Sequence, residues 1–158
     1  MIIIVEGIDR VGKTTLCNMI SKEFGISVFK NKSFYGKCIG KETEIELINQ
    51  LINFVKCVNC DVIFDRLHLT EFVYGLWSRN YANTDIMKID EKLSKMKCLL
   101  IYVKPTDIDE SSKQHGSDLQ FYDTSFEAIF KNSKIKKFSC DYSTLSEAVE
   151  FVRQNYNI

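Results

Sequence analysis

The sequence predicts an α/β protein, a three-layer α/β/α sandwich built on a parallel sheet of about five strands. Short apolar runs alternate along the chain with segments whose apolar residues recur at helical spacing. Two of the runs, 2–5 and 98–103, are apolar throughout, which is typical of strands buried on both faces of a parallel sheet. Because no internal repeat or linker interrupts the alternation, we expect residues 1–158 to form a single domain.

The predicted elements follow one another in a regular order. Strands are expected at 2–6, 27–29, 61–65, 98–103 and 138–141. Helices are expected at 13–24, 45–55, 69–77, 86–96, 119–130 and 145–152, with apolar residues such as Met19 and Trp77 facing inward. Gly25 ends the first helix, and Thr144-x-x-Glu147 has the spacing of a capping box that opens the last one. Loops or solvated turns are expected at 30–41, 106–117 and the lysine cluster 131–137.

The first predicted strand runs into Gly7-x-x-x-x-Gly12-Lys13-Thr14, and a helical pattern begins at once. Strand, glycine-rich turn and helix N-terminus in this order are the setting of the phosphate-binding P-loop. Its backbone N–H groups converge on a phosphate, while Lys13 can reach the β- and γ-phosphate oxygens of ATP and the Thr14 hydroxyl can ligate Mg²⁺. The ATP-binding residues predicted here are Gly7, Arg10, Val11, Gly12, Lys13, Thr14 and Thr15.

Further functional residues are expected where the strands end, because parallel α/β sheets bind ligands at the carboxyl ends of their strands. Asp65 ends an apolar run, the position from which P-loop enzymes orient Mg²⁺ or its water. Arg66 can grip a phosphate with two parallel hydrogen bonds, or it can be a structural ion-pair partner. Phe29 and Asp141 are expected on the same rim of the sheet.

Composition narrows the classes of partner. The chain has 21 basic and 21 acidic residues and a pI near 6.7, so it has no basic surplus for binding nucleic acid. No apolar run approaches the ~20 residues that a membrane span needs. The N-terminal apolar run is short and lacks a basic leader, so we expect a core strand there and no signal peptide.

Six cysteines occupy positions 17, 38, 57, 60, 98 and 140. Cys57 and Cys60 form a lone C-x-x-C pair, and the sequence has no second pair or suitably spaced histidines to complete a zinc site. The pair falls between a helix end and a strand start, where a redox motif does not belong. We therefore expect buried or half-buried free thiols and a reducing, cytoplasmic location.

Two stretches stand out together: Glu6-Gly-Ile-Asp9-Arg10-Val-Gly12-Lys13-Thr14-Thr15, and Asp65-Arg66-Leu-His-Leu-Thr70-Glu71-Phe-Val-Tyr74. They resemble the thymidylate kinase family of deoxynucleoside monophosphate kinases, above all its compact viral and phage forms. The resemblance covers most of the chain and is loose between 30 and 60. It implies the reaction ATP + dNMP → ADP + dNDP, with dTMP as the expected acceptor, Mg²⁺ as the metal and a homodimer as the assembly.

The resemblance also implies roles for individual residues. Asp9 would bond the 3′-hydroxyl of the acceptor deoxyribose, Arg66 would hold the acceptor phosphate, and Tyr74 would stack on the sugar and exclude a 2′-hydroxyl. Phe29 would flank the acceptor base, and Lys32 lies near the place of an arginine that grips the acceptor phosphate in the family. The acceptor-binding residues implied in this way are Asp9, Phe29, Lys32, Arg66, Thr70 and Tyr74.

The implied lid at 106–117 and the turn after Asp141 would border ATP. This lid contains no arginine, only Lys113 and His115 as basic residues. Phosphoryl transfer to a phosphate needs positive charge and alignment more than a base, so Arg10 of the P-loop is the expected cation over the transferring group. The predicted catalytic residues are Lys13, Arg10, Arg66 and Asp65. The predicted metal ligands are Thr14 and Asp65.

The residues that read the base are left open. The family has an arginine that reaches the thymine edge, and this sequence has none between 41 and 56. Either Asn49, Gln50 or Asn53 reads the base, or the specificity is broad. His68 can be a packing residue at a helix start or a ligand contact.

Other functions make demands that the sequence does not meet. A deoxynucleoside kinase wants a carboxylate base near the end of the second strand, and residues 26–34 contain none. A GTPase-type switch would need an Asn-Lys-x-Asp motif and a water-positioning glutamine, and neither arrangement is found. A P-loop scaffold without turnover would not need the intact set Arg10, Lys13, Thr14, Asp65 and Arg66.

Overall fold

The computed structural model of the chain describes residues 1–30, 41–78, 85–106 and 119–156. Five strands form one sheet in the order β2-β3-β1-β4-β5, and every adjacent pair is parallel. The strands are β1 (Ile2–Glu6), β2 (Ser27–Lys30), β3 (Val62–Asp65), β4 (Cys98–Val103) and β5 (Lys136–Cys140). The predicted parallel sheet of five strands is confirmed.

Six helices surround the sheet within the described part of the chain. They are α1 (Lys13–Phe24), α2 (Lys41–Val58), α3 (His68–Ser78), α4 (Ile86–Ser94), α5 (Leu119–Asn132) and α6 (Leu145–Tyr156). Helix α1 packs against α6, whereas α3 packs against α4 and α5. Within the described ranges, no helix combines the length and apolar character that crossing a membrane requires.

The central strand β1 decides where a ligand can bind. All five of its residues are buried, and it pairs with β3 on one side and β4 on the other. The chain moves to one side of β1 for β2 and β3 and to the other side for β4 and β5, so the topology switches at β1. A switch of this kind leaves a crevice at the carboxyl ends of the strands. The turns after Glu6 and Asp65 meet there, and Arg66 N donates to Val5 O at 3.0 Å.

The lysine cluster 131–137 is only partly the solvated turn that was expected, since Lys131, Lys134 and Lys136 are exposed but Lys137 is half-buried. Its last two residues already belong to β5. Lys137 Nζ donates to the carbonyls of Phe130, Lys131 and Ser133 at 3.0, 2.6 and 2.7 Å. These carbonyls at the end of α5 have no partner within the helix and carry the negative end of its dipole, which is why an ammonium group binds them.

The start of α6 also differs from the prediction. Asp141, not Thr144, provides the cap: its carboxylate accepts the N–H groups of Ser143 and Thr144 at 2.8 and 3.2 Å. The Thr144 hydroxyl accepts the Asp141 N–H at 3.0 Å, which completes a capping box around a 3₁₀ turn at Tyr142–Thr144. The expected box between Thr144 and Glu147 is therefore wrong by one turn.

Two apolar helix residues and one cysteine are more exposed than the sequence predicted. Met19 and Trp77 are exposed although helical spacing put them inward, because each lies at the edge of its apolar stripe. Cys57 is exposed and Cys60 is half-buried, so the expectation of covered thiols is wrong for Cys57. It is correct for the buried Cys17, Cys98 and Cys140, and burial raises the pKa of all three thiols.

Candidate active site

A cavity of about 590 Å³ lies at the carboxyl end of β1. Eight of its lining residues were predicted by name, and the ninth, Tyr142, lies in the turn after Asp141 that the resemblance placed beside ATP. The lining residues are Asp9, Arg10, Gly12, Lys13, Thr14, Thr15, Asp65, Arg66 and Tyr142. Tertiary structure thus brings the P-loop and the end of β3 to one space, as the parallel topology requires.

The glycines of the loop are needed for close approach. A Cβ on Gly7, whose φ is +139°, would lie 2.4 Å from Val103 O. A Cβ on Gly12, whose φ is +99°, would lie 2.7 Å from the ring of Tyr142. Both positions exclude larger residues. The side chain of Val11 is buried in the core, so the predicted role of Val11 in binding ATP would fall to its backbone alone.

Lys13 is buried with only 5% of its surface exposed, and its Nζ donates to the carbonyl of Ile8. Burial, together with the positive charge of Arg66, lowers the pKa of Lys13 to about 7, although nearby carboxylates oppose the shift. An ammonium group in this position lacks the hydration it would have in water. A polyphosphate beside it would supply the missing negative charge.

Thr14 and Asp65 lie side by side on the cavity wall. Thr14 Oγ1 donates to Asp65 Oδ2 at 2.8 Å, and Asp65 is buried at the end of β3. A hydroxyl oxygen next to a carboxylate fits Mg²⁺, which proteins hold by one or two oxygen ligands while phosphate oxygens and water complete the octahedron. The two residues predicted as metal ligands therefore lie next to each other.

Arg66 is held in a left-handed backbone conformation with φ of +76°. Its Nη1 donates to Gly7 O at 3.1 Å, and its Nη2 donates to Asp9 Oδ1 at 2.5 Å. Of the two interpretations left open by the sequence, the ion pair is present in the structure. Because Arg66 also lines the cavity, the pair does not exclude a role in binding phosphate.

Asp9 connects this arginine to Tyr74. The Asp9 side chain is 56% exposed, and its Oδ2 accepts the Tyr74 hydroxyl at 3.5 Å. The guanidinium carbon of Arg66 lies 5.6 Å from the centre of the Tyr74 ring, within range of a cation–π contact. Tyr122 packs on Tyr74 with ring centres 5.0 Å apart. Three residues that the resemblance assigned to the acceptor therefore contact one another.

Glu6 is a residue of the site that sequence reasoning missed. It is fully buried at the end of β1, and its Oε1 accepts the N–H groups of Leu67 and Leu69 at 2.9 and 3.1 Å. These bonds hold the turn that carries Arg66. An acid that ends an otherwise apolar strand is visible in the sequence, but the sequence does not show which helix N-terminus it meets.

Several predicted residues are not part of the cavity wall. Phe29 is half-buried and packs edge-on against Phe64, with ring centres 5.6 Å apart. The Asp141 carboxylate is occupied by its cap, so its neighbour Tyr142 takes the place on the wall that Asp141 was expected to have. Lys32, Lys113 and His115, with most of the predicted lid, lie outside the described residues.

The three side-chain amides proposed to read the base each contact another side chain of the protein. Asn49 Oδ1 and Asn53 Oδ1 accept from Lys92 Nζ of α4 at 3.1 and 3.0 Å. Gln50 Nε2 donates to Glu46 at 3.0 Å on the same helix. All three amides are therefore engaged with other side chains of the protein, and the idea that one of them reads the base stays a prediction.

His68 is a packing residue rather than a ligand contact. It is fully buried, and its Nε2 lies 3.1 Å from Asp90 Oδ1. Asp90 also accepts the Ser133 hydroxyl at 2.6 Å and the Lys134 N–H at 2.9 Å. The network joins the start of α3 and the turn between α5 and β5 to α4.

Known proteins share the fold at low sequence identity. No protein-family model matches the sequence, and no curated protein matches it. The YorR protein of Bacillus subtilis, solved in complex with phosphorylated GDP, is similar with a TM-score of 0.76 at 21% identity, over 100% of this chain and 99% of its own. Thymidylate kinase from Ehrlichia chaffeensis is similar with a TM-score of 0.63 at 15% identity, over 96% of this chain and 98% of its own.

The chain has the thymidylate kinase-like P-loop fold. A third structure, deoxyadenosine kinase from M. mycoides with the products dCMP and dCDP, is similar with a TM-score of 0.52 at 17% identity, over 99% of both chains. The thymidylate kinase-like fold predicted from the P-loop and the Asp65-Arg66 stretch is thus confirmed. It is shared by proteins that act on different acceptors, so the activity has to be argued from the site.

Proposed function

We propose that this chain is a deoxynucleoside monophosphate kinase that transfers the γ-phosphoryl group of ATP to a dNMP, with dTMP as the preferred acceptor. The observation that carries the proposal is that two cationic side chains, Lys13 and Arg66, line one cavity at the carboxyl end of β1. Two anionic groups that meet between these cations would neutralise both. A donor polyphosphate and an acceptor phosphate are such a pair.

The donor half of the site is the P-loop. Its backbone N–H groups from Gly12 to Thr15 and the Lys13 ammonium would hold the ATP phosphates, and the exposed ring of Tyr142 next to Gly12 offers a surface for the rest of the nucleotide. Thr14 and Asp65 would hold Mg²⁺, which bridges phosphate oxygens and neutralises charge in such reactions. The Lys113 contact implied for the lid remains part of this proposal.

The acceptor half is formed by Arg66, Asp9 and Tyr74. Arg66 would hold the acceptor phosphate, and Asp9 would accept the 3′-hydroxyl, with Tyr74 packed where a 2′-hydroxyl would lie. Arg10 lines the cavity from the P-loop and would stabilise the charge of the transferring group. Phe29 and Lys32 are proposed to complete the acceptor side.

A deoxynucleoside kinase is the nearest rival because one similar structure is a deoxyadenosine kinase. Its acceptor is a neutral hydroxyl, which needs a carboxylate base. Strand β2 ends in Lys30, which stands beside Asp65 in the sheet register, and residues 26–34 contain no acid. A cation at this position suits an anionic acceptor better.

The preferred base has to be tested directly, since similar structures hold guanine and cytosine nucleotides. The test is therefore ADP release measured against the four dNMPs and the four deoxynucleosides. We expect turnover with a dNMP, fastest with dTMP, and none with the nucleosides. Lys13→Ala and Arg10→Ala should abolish turnover in folded protein, whereas turnover with nucleosides only would refute the monophosphate kinase.

A homodimer is proposed because the family resemblance implies one, and a cytoplasmic location is proposed because the cysteines are free thiols. A homodimer would give twice the chain mass of 18.3 kDa by light scattering. A reducing cytoplasm, that of a host cell if the protein is viral, suits the free cysteines.

A further inference from the structure

A buried chain of hydrogen bonds links the end of β1 to the guanidinium of Arg66. Besides the two N–H groups already described, Glu6 accepts the Thr70 N–H on Oε1 at 3.3 Å and the Thr70 hydroxyl on Oε2. Thr70 Oγ1 in turn lies 3.4 Å from Arg66 Nη1. Glu6 and Thr70 are both buried, so no bulk water competes for these bonds.

The direction of each bond in this chain is determined. An ionised carboxylate can only accept, and a threonine hydroxyl has a single proton, so that proton is directed to Glu6. The hydroxyl oxygen of Thr70 can still accept a hydrogen bond, and Arg66, which can only donate, provides it from Nη1. The same Nη1 donates to Gly7 O at 3.1 Å. Two acceptors from separate elements therefore hold Nη1 of the guanidinium, while Nη2 donates to Asp9, which also lines the cavity.

We propose that Thr70 and Glu6 are positioning residues that set the plane of the Arg66 guanidinium for the acceptor phosphate. In this assignment the Thr70 hydroxyl serves Arg66 and does not bind the acceptor, contrary to the role that the family resemblance implied. The inference rests on the proposed function, in which Arg66 holds the phosphate of the acceptor. It adds Glu6 to the machinery of the site.

The orientation matters because an arginine grips a phosphate through two parallel N–H···O bonds, and rotation of its plane breaks one of them. The backbone of Arg66 is already strained at φ of +76°, so side-chain and backbone bonds have to hold the residue in place. The donor nucleotide is bound by the P-loop and Lys13 instead. Loss of the Thr70 hydroxyl should therefore weaken use of the acceptor and leave use of ATP unchanged.

The first test compares Thr70→Val, which keeps the shape and removes the hydroxyl, with Thr70→Ser, which keeps the hydroxyl. With the best dNMP as acceptor, we expect kcat/KM for the acceptor to fall about tenfold or more in Thr70→Val, while KM for ATP stays within about twofold. Thr70→Ser should stay near the wild type. Thr124→Val is the matched control, since it removes an exposed hydroxyl on α5 that bonds only its own helix at Gln120 O.

The second test asks whether Thr70 acts through Arg66. Arg66→Lys replaces the planar guanidinium with an ammonium group, which has no plane for Thr70 to orient. In this background, adding Thr70→Val should lower kcat/KM for the acceptor by less than about twofold. Glu6→Gln should resemble Thr70→Val, because its amide would donate to the Thr70 oxygen and turn the hydroxyl proton toward Arg66. If Glu6→Gln does not fold, the two Thr70 variants decide.

The outcomes separate the two proposals. Turnover by the wild type with equal acceptor kcat/KM in Thr70→Val and Thr70→Ser overturns the positioning role and leaves the kinase standing. Multiplicative effects of Thr70→Val and Arg66→Lys would also overturn it, because Thr70 would then act independently. Failure of the wild type with all four dNMPs overturns the proposed function, and this inference with it.

Discussion

At the scale of a single residue, Lys13 shows how burial prepares a site for its ligand. The P-loop places its ammonium group in the wall of the cavity, where little water reaches it and Arg66 repels it. The energetic cost of this arrangement is removed when phosphate arrives. Binding of ATP and protonation of Lys13 should therefore be linked.

The first prediction concerns that linkage. Since burial lowers the pKa of Lys13 to about 7, the free protein is mostly unprotonated there at about pH 8, and a bound polyphosphate raises the pKa again. When ATP binds at about pH 8, the complex should take up roughly half a proton or more per ATP bound. This uptake can be measured by calorimetry in buffers of different ionisation enthalpy.

The control for this prediction is Lys13→Arg, whose guanidinium stays charged at every accessible pH. It should bind ATP without that uptake. An unchanged uptake in Lys13→Arg would show that another group titrates.

At the scale of an element, the short turn after β5 matters more than its length suggests. The Asp141 cap shapes the 3₁₀ turn Tyr142–Thr144 and so puts the Tyr142 ring, 59% exposed, against Gly12. Hydrogen bonds from Ser143 and Thr144 hold the pKa of Asp141 below its usual range, so the carboxylate is ionised at neutral pH. A helix cap thereby positions a side chain of the proposed donor site.

The second prediction is that Asp141→Ala lowers the melting temperature by a few degrees and also raises KM for ATP, because the turn that carries Tyr142 loosens. The matched control is Asp85→Ala. Asp85 occupies the N-cap position of α4 but makes no side-chain cap hydrogen bond, and its ion pair with Lys88 is exposed. A fall in melting temperature as large in Asp85→Ala would show that the cap is not the cause.

At the scale of the whole molecule, one buried carboxylate ties several elements together. Burial opposes ionisation of Asp90, but hydrogen bonds from His68, Ser133 and Lys134 outweigh it and hold its pKa below the ordinary value of 3.8. The folded state therefore favours the ionised form. This contribution to stability is present above the unfolded pKa and is lost as the pH falls through the folded pKa.

The third prediction follows from that sign. Asp90→Asn should lower the free energy of unfolding by about 2 kcal/mol or more at about pH 7, and the difference from the wild type should shrink at about pH 3, measured by urea denaturation.

The opposite trend is expected for Asp123→Asn. Burial raises the pKa of Asp123, so the wild type gains stability from this group as the pH falls. A pH-independent difference for both variants would contradict the assignment.

The sequence by itself predicted the order of the elements and the P-loop residues that line the cavity. Patterns that are local in the chain were sufficient: the apolar runs of a buried parallel sheet, and the P-loop, whose residues are neighbours in sequence as well as in space. Asp65 and Arg66 could be added because parallel strands end at the same edge.

Tertiary structure alone decided the contacts between residues distant in sequence. Which helix N-terminus Glu6 meets, where Asn49 and Asn53 point, and which residue of the turn after β5 reaches Gly12 depend on packing between elements. Periodicity says that a residue is on a face, but not what lies opposite. The orientation of Arg66, on which the acceptor proposal depends, is determined by acceptors from the P-loop and α3, which only the folded chain brings together.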